Sequence, residues 1–491
     1  MKKTWFDQKL FRDGFRQLTL AGLICALILA LQAVLIPVGQ VLQYRSEGAT
    51  WMGREVVGFW AANPLVVTTF CLITPLMALW LFRFLSRRDA CDFYHAIPQS
   101  RTCLYISFLA AVLAWALILQ WGSSLLAILA HMVFPKYFEV QVREILVANV
   151  QVTACNLFVL GAVLLAVTLT GNALTNLVVS LLIIFFPRLL MFVIRACVGD
   201  SLSIIGSEYL SFLGNNWNVV TGTIFFLLDD GYSLMKNLTA GAYTAAFGIL
   251  YLVIGGIMFN RRRSEAAGEA AIHPALQLIF RLIPAYVFCL IPSVQIFYML
   301  VEHRDVAAID LYNIVILYLI GIFIYFLYEL ISTRKVRNLP KAVPGLLFLL
   351  AFNLLIIFGM LSMRRSLLQY SPEADEIESV RIIGSNVYVR SMRDEDSGVI
   401  PGYFSSRRGQ IELTDPKVKE LVAQRLKESI EFDEHPEQRK DSDYDYQSQE
   451  VAITVNGKTT YRVLHLLMTD VTLLADTLYQ DDSVADIYMN L

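Results

Sequence analysis

Charge is what this sequence has little of. Asp, Glu, Lys and Arg make up 17% of its 491 residues, against about 25% in an ordinary soluble domain. The long apolar segments hold almost none of it. No segment carries a carboxylate near its centre, and none of the six histidines sits centrally in one. A proton-coupled carrier would want such relays, so their scarcity argues against that class. HExxH and paired-His motifs are also lacking, which argues against an intramembrane protease or a haem site. No Walker A motif occurs, so the chain supplies no ATPase of its own. Gly457-Lys458-Thr459 comes nearest, but Ala452 stands where the first glycine is needed. The seven cysteines (25, 71, 91, 103, 155, 197 and 289) lie in or beside apolar segments with no CxxC spacing. They read as small hydrophobes rather than metal ligands or a disulfide framework. Met1-Lys-Lys-Thr-Trp-Phe6 does not read as the start of a signal peptide, because the apolar run that follows is too long for a cleaved core.

What the chain has instead is apolar length: 56% hydrophobic residues and a mean hydropathy of +0.55. Nine segments, 18–42, 64–85, 103–133, 150–169, 174–193, 240–259, 276–300, 309–331 and 343–361, approach or exceed the roughly 20 helical residues that cross a bilayer core. The expected fold class is a polytopic α-helical membrane protein of about nine transmembrane helices. Loop cations orient it. With the N-terminus inside, segments 1–17, 86–102, 260–275 and 332–342 hold 15 Lys and Arg, and the outer loops 43–63, 134–149, 194–239 and 301–308 hold 7. This is the expected bias towards the cytoplasm. Nine crossings then leave the C-terminal tail outside, with Arg364 and Arg365 at its start as an exception to the bias.

The tail is a different material. Residues 370–491 carry 13 Lys and Arg against 24 Asp and Glu, a net charge of −11. A strand is expected within 379–390 and a helix starting at Thr414-Asp-Pro416. Val418, Val422, Leu426 and Ile430 form its apolar stripe. A hairpin is expected for 451–465 around Asn456-Gly457, whose type I′ turn needs positive φ at both centres. A charged loop over 435–448 and a closing helix over 470–479 complete a small α+β soluble domain. Before the first apolar run, Trp5, Phe6, Leu10, Phe11 and Phe15 interleave with Lys9, Arg12 and Arg16. They read as an interfacial amphipathic helix over 1–17, or as a frayed basic tail. The semi-apolar stretch 201–238 reads as short helices at the outer surface.

Two places in the apolar part of the chain invite a functional reading. Arg188, after Pro187, is the only ionisable side chain well inside the outer half of a span. It is either a contact for an anionic headgroup or substrate, or an anchor at the end of a tilted helix. The second place is the loop Ser86-Arg-Arg-Asp-Ala-Cys-Asp-Phe-Tyr-His-Ala-Ile-Pro-Gln-Ser-Arg101. Asp92, His95, Ile97, Pro98, Ser100 and Arg101 resemble the segment after the second span of ABC-2-type transporter permeases of Gram-positive bacteria. Thr170-Gly-Asn172 and Arg261-Arg-Arg-Ser-Glu265 with Ala267-Gly268 match further points of that family. The tail is similar to a C-terminal domain of unassigned function carried by some of these permeases, at Ile411-Glu-Leu-Thr-Asp415 and at Asn456, Gly457, Lys458, Tyr461 and Arg462. The chain departs from the family plan in having three extra spans after the usual six.

The resemblance implies a domain plan of 1–17 interfacial helix, 18–275 six-span permease core, 276–361 three additional helices and 362–491 extracytoplasmic domain. It implies a permease subunit in a bacterial plasma membrane, paired with a cytoplasmic ABC ATPase that binds the ATP. A homodimer or a pair with a related permease is expected, in contact with membrane lipid and without nucleic acid. Asp89, Asp92, Phe93, Tyr94, His95, Pro98 and Arg101 would form the coupling loop, and Arg263 and Glu265 the cytoplasmic end of span six. The chain itself would hold no cofactor. A second reading remains open, in which the spans only anchor a sensor or scaffold whose outer domain binds a ligand or partner. The loop would then be a solvated segment whose arginines fix topology.

Overall fold

Backbone polar groups cannot be left unpaired in an apolar setting, and a helix satisfies them within one segment. The computed structural model describes residues 5–46, 54–205, 238–263, 265, 267, 271, 273–302, 308–333, 336–383, 412–434, 446–467, 469, 470 and 473. Among these, nine helices are long and apolar enough to cross a membrane. We number them one to nine: Thr19–Ser46, Pro64–Leu81, Arg101–Met132, Val142–Leu169, Thr175–Asp200, Gly241–Arg261, Ala275–Glu302, Ile309–Thr333 and Val336–Leu368. The polar ends are also helical. Helix four starts at Val142 rather than 150, and helix five runs on to Asp200 rather than 193. Helix two is a composite of a 3-10 turn (Pro64–Val67), a π turn (Thr69–Ile73) and an α-helix (Thr74–Leu81). No disulfide joins the seven cysteines.

The chain divides into two compact units. The first comprises Met1–Met191, Asn215–Phe288 and Leu319–Leu349. Helix four is its axis, and most of its apolar length is buried. Helix six crosses it at a pair of glycines. A Cβ on Gly161 would meet the Gly248 carbonyl oxygen at 2.6 Å, and one on Gly248 would meet the Phe158 nitrogen at 2.6 Å. Small residues at such a crossing let backbones approach closely. Gly248→Val is therefore expected to force the helices apart and cost about 3 kcal/mol. Thermal unfolding of the purified chain checks this, with Gly122→Ala, where a Cβ meets nothing within 4 Å, as the control.

The segment before helix one is helical over Gln8–Gln17, capped by Asp7, whose Oδ1 accepts from Lys9 N and Leu10 N. It lies along helix three. Phe15 stacks on Trp115 at 4.7 Å, and the Trp115 indole donates to the Phe15 carbonyl. At the other end of this unit, two short strands, β1 (Glu55–Val57) and β2 (Phe138–Val140), pair in parallel.

The second unit comprises Phe192–Gly214, Cys289–Tyr318 and Leu350–Leu491. Its sheet runs β3 (Ile377–Ile383), β4 (Tyr446–Val455), β5 (Lys458–Leu467), all antiparallel. The hairpin turn has Asn456 at φ 50° and Gly457 at φ 69°, the two positive values that the turn type demands. Strand β4 begins at Tyr446 rather than 451, inside what reads in the sequence as a charged loop. The helix Pro416–Glu434 buries Val418, Val422 and Leu426 completely. Its start is capped by Asp415, whose Oδ1 accepts from Lys417 N at 2.8 Å. Arg425 pairs with Asp470 at 2.7 Å and with Glu428. Burial alone would lower its pKa, but these two carboxylates outweigh it and raise the value. The stretch 206–237, strand positions 384–390, most of the charged loop and most of the closing helix lie outside the described residues.

Candidate functional site

The 86–102 segment folds by local rules. Arg87 is extended (φ −124°, ψ 125°), and a helix follows over Arg88–Ala96 with Asp89 in its first turn, where a carboxylate complements the helix dipole. Ile97 is extended (φ −59°, ψ 135°), as the residue before a proline prefers. Ser100 then caps helix three, its Oγ accepting from Cys103 N at 3.2 Å. The inward side of the short helix holds buried Cys91 and half-buried Tyr94, whose ring lies 4.3 Å from Phe84 and edge-on to Phe108. Burial pushes the Cys91 thiol pKa up, with Asp92 adding to the rise and Arg262 and Arg101 opposing it. Asp89, Asp92, Phe93 and Ala96 are exposed, and their spacing puts them on one helical face. Phe93 is 67% exposed, a large apolar ring between two carboxylates. Pro98 is also exposed. The backbone of His95 is on the helix, but its side chain lies outside the described residues.

The turn that leads into this helix is tied to the bundle by Arg262. Arg262, just beyond helix six, is 2% exposed. Its Nη1 donates to the carbonyls of Val167, Thr168 and Thr170, and its Nη2 donates to the carbonyl of Leu85 at 2.8 Å. The first three lie at the end of helix four, where carbonyls have no helical partner. The guanidinium therefore caps that helix and ties it to the turn Arg83–Ser86, which leads into the short helix. Burial lowers the Arg262 pKa to about 10, which still leaves it charged at neutral pH. Arg101 completes the joint, with Nη1 donating to the Arg262 carbonyl at 2.6 Å and to the Asn260 carbonyl at 3.3 Å. Arg88 Nε donates to the Ala267 carbonyl at 3.3 Å.

The three motifs 86–101, 170–172 and 261–267 are distant in sequence and meet here, at one end of the first unit. Arg263 and Glu265 are exposed and stand outside the joint, while Ser264 and Gly268 lie outside the described residues. Three consecutive arginines gave no indication of which one turns inward. Arg188 lies within the helix Ala173–Asp200, half-buried and not without a partner.

A second feature also escaped a reading focused on ionisable groups. Neutral polar side chains from helices two, three and four form a buried chain of hydrogen bonds. Asn63 Nδ2 donates to Ser123 and Ser124, and Ser124 Oγ donates to Asn149 Oδ1. Gln120 donates to the Asn149 carbonyl and to Thr153, and Asn156 donates to Gln120 Oε1. Thr74 donates to Asn156 at 2.6 Å. The π turn Thr69–Ile73 lies alongside, linked by Asn156 Nδ2 donating to Thr69 Oγ1. The spacing of Asn149, Thr153 and Asn156 along one helical face was the available signal. These groups bond to each other and carry no net charge, so they act as interhelical glue. Glu329, at the polar end of helix eight, is 3% exposed and is held by Arg281 at 3.1 Å and by Gln277.

In the second unit, Ser203, Asp433 and His465 come together, with Ser203 Oγ 2.7 Å from both Asp433 Oδ1 and His465 Nε2. Asp433 accepts from the backbone N–H groups of Ser203 and Ile204, and His465 Nδ1 faces Ser448 at 3.4 Å, whereas a hydrolytic triad needs the carboxylate on Nδ1. The trio instead fastens the end of helix five to the tail. Val463 N on β5 donates to the Ile204 carbonyl at 2.8 Å. Among the described residues no three His, Cys, Asp or Glu side chains gather to hold a metal. No protein-family model matches the chain, and neither do any curated proteins or solved structures.

Proposed function

We propose that this chain is the transmembrane subunit of an ABC transporter. It would move an amphipathic compound such as a peptide antibiotic, lipid or drug. A separate cytoplasmic ATPase would supply the energy by pressing on the Asp89–Ala96 face. The observation that carries this reading is the joint at Arg262. A partner can drive distant helices only through a rigid element, and the turn Arg83–Ser86 that leads into the short helix is tied to the end of helix four by one buried guanidinium that follows helix six. Its outward face offers what a docking groove recognises, an aromatic ring flanked by charge. The Lys and Arg excess of 1–17, 86–102, 260–275 and 332–342 favours a cytoplasmic position for this end. The domain after helix nine then faces outward from a bacterial plasma membrane. The apolar interior, held across helices two, three and four by neutral polar side chains, suits an amphipathic cargo.

The hydrogen bonds that fasten the tail to Ser203 and Ile204 favour one alternative. In it, the outer domain senses a ligand and the helices transmit the signal or anchor the domain. Purification from the native membrane in mild detergent separates the two. A stoichiometric ABC ATPase that accompanies the wild type supports the transporter. Clean recovery without a nucleotide-binding partner, under conditions that preserve a reference ABC complex, overturns it.

A further inference from the structure

Where helix nine ends, a cavity of about 460 Å³ is lined by Leu361, Arg364, Arg365, Leu368, Gln369 and Glu434. Nothing in the transport reading uses it. We propose that this cavity binds a phosphate group, carried by a lipid headgroup or free in solution.

Its two arginines are unlike each other. Arg364 is positioned, since its Nη2 donates at 2.7 Å to the carbonyl of Asp433, in the last turn of the tail helix, where carbonyls lack helical partners. Arg365 is exposed and has no side-chain hydrogen bond or ion pair among the described residues. One guanidinium is thus fixed and the other available, a combination suited to the forked, bidentate capture of phosphate oxygens. Glu434 on the rim makes no ion pair among the described residues and reduces the local charge to about one positive unit. A singly charged phosphate matches that balance. Leu361 and Leu368 add an apolar wall that a bare anion would not use but the glycerol and upper acyl carbons of a lipid would. The volume falls in the range of small-molecule sites.

Two further facts agree. Arg364 and Arg365 depart from the scarcity of cations in the segments read as outer loops. They also stand just before residues 370–491, of net charge −11, which an anionic membrane surface would otherwise repel.

The test uses the full-length chain in detergent, monitored by native mass spectrometry. Phosphatidylglycerol, phosphatidylcholine and inorganic phosphate are titrated separately. Wild type is expected to retain one phosphatidylglycerol or one inorganic phosphate, and Arg365→Gln to weaken that binding about ten-fold. Retention of the lipid but not inorganic phosphate identifies the headgroup as the source, and the converse identifies free phosphate. Arg337→Gln, an exposed cation at the start of helix nine, serves as the charge-matched control. Failure of both probes to bind overturns the proposal. So does equal binding by wild type and Arg365→Gln, or equal weakening by Arg337→Gln. Arg365 is preferred to Arg364 for substitution because it bonds to no other described side chain, and an unchanged unfolding temperature confirms that the variant folds.

Discussion

Replacing Arg262 with alanine is expected to lower the apparent unfolding temperature of the purified chain by about 10 °C. The argument is one of unpaired carbonyls. The side chain bonds to four backbone oxygens and is 2% exposed. Each buried oxygen left without a donor costs about 1–3 kcal/mol. Water entering the vacated space recovers part of that loss, leaving about 4 kcal/mol. Arg262→Lys keeps the charge but concentrates its donors on one nitrogen. It cannot reach both the end of helix four and Leu85, and is expected to restore less than half. Arg263→Ala, at an exposed position next door, should leave the temperature within about 1 °C of wild type. An Arg262→Ala protein as stable as wild type would remove the joint from the argument. If the chain couples to an ABC ATPase as proposed, Arg262→Lys is expected to bind that partner normally while losing transport-stimulated ATP hydrolysis, since the contact surface is intact and only its mounting has changed.

Asp92→Ala/Phe93→Ala should do the reverse. Both side chains are exposed, so the unfolding temperature is expected to stay within about 1 °C of wild type. Removing an aromatic anchor and a flanking charge from a docking face typically costs about 2–4 kcal/mol. On the proposed reading, affinity for the ATPase should therefore fall at least thirty-fold, with coupled hydrolysis lost at ordinary partner concentrations. Asp92→Ala alone is expected to have a smaller effect that fades as salt is raised, because its contribution is electrostatic and screened. Phe93→Ala alone should be insensitive to salt. Titration of labelled ATPase against the reconstituted chain at two ionic strengths separates the terms. Unchanged affinity in the double variant would return the 86–102 loop to the role of a solvated topology signal.

The long helices were legible because apolar length is a local property. The π turn in helix two was not, since Thr69–Ile73 differs little in composition from the α-helical residues after it. Its position beside Asn156 depends on packing. The hairpin was legible because Asn456-Gly457 encodes a backbone geometry that few dipeptides adopt. The start of β4 was not, because Tyr446–Glu450 has the polarity of a loop and becomes a strand only by pairing with Val463–Leu467 of β5. In the site, the outward residues Asp89, Asp92 and Phe93 could be named from their loop. Tyr94, named with them, instead turns towards Phe84 and Phe108 and belongs to the mounting.

The sequence by itself determined that this protein is built from long apolar helices with an acidic α+β tail. It also determined which connecting segments carry cations. These features follow from composition and short-range periodicity, which need no knowledge of neighbours. Only the tertiary structure decided which of three adjacent arginines is buried, because that depends on where the carbonyls of Leu85 and Thr170 lie. The same holds for the neutral amides of helices three and four, whose polarity could equally have faced a pathway. They satisfy each other instead, because a buried hydrogen bond needs both partners within about 3 Å, and only the packed fold sets that distance.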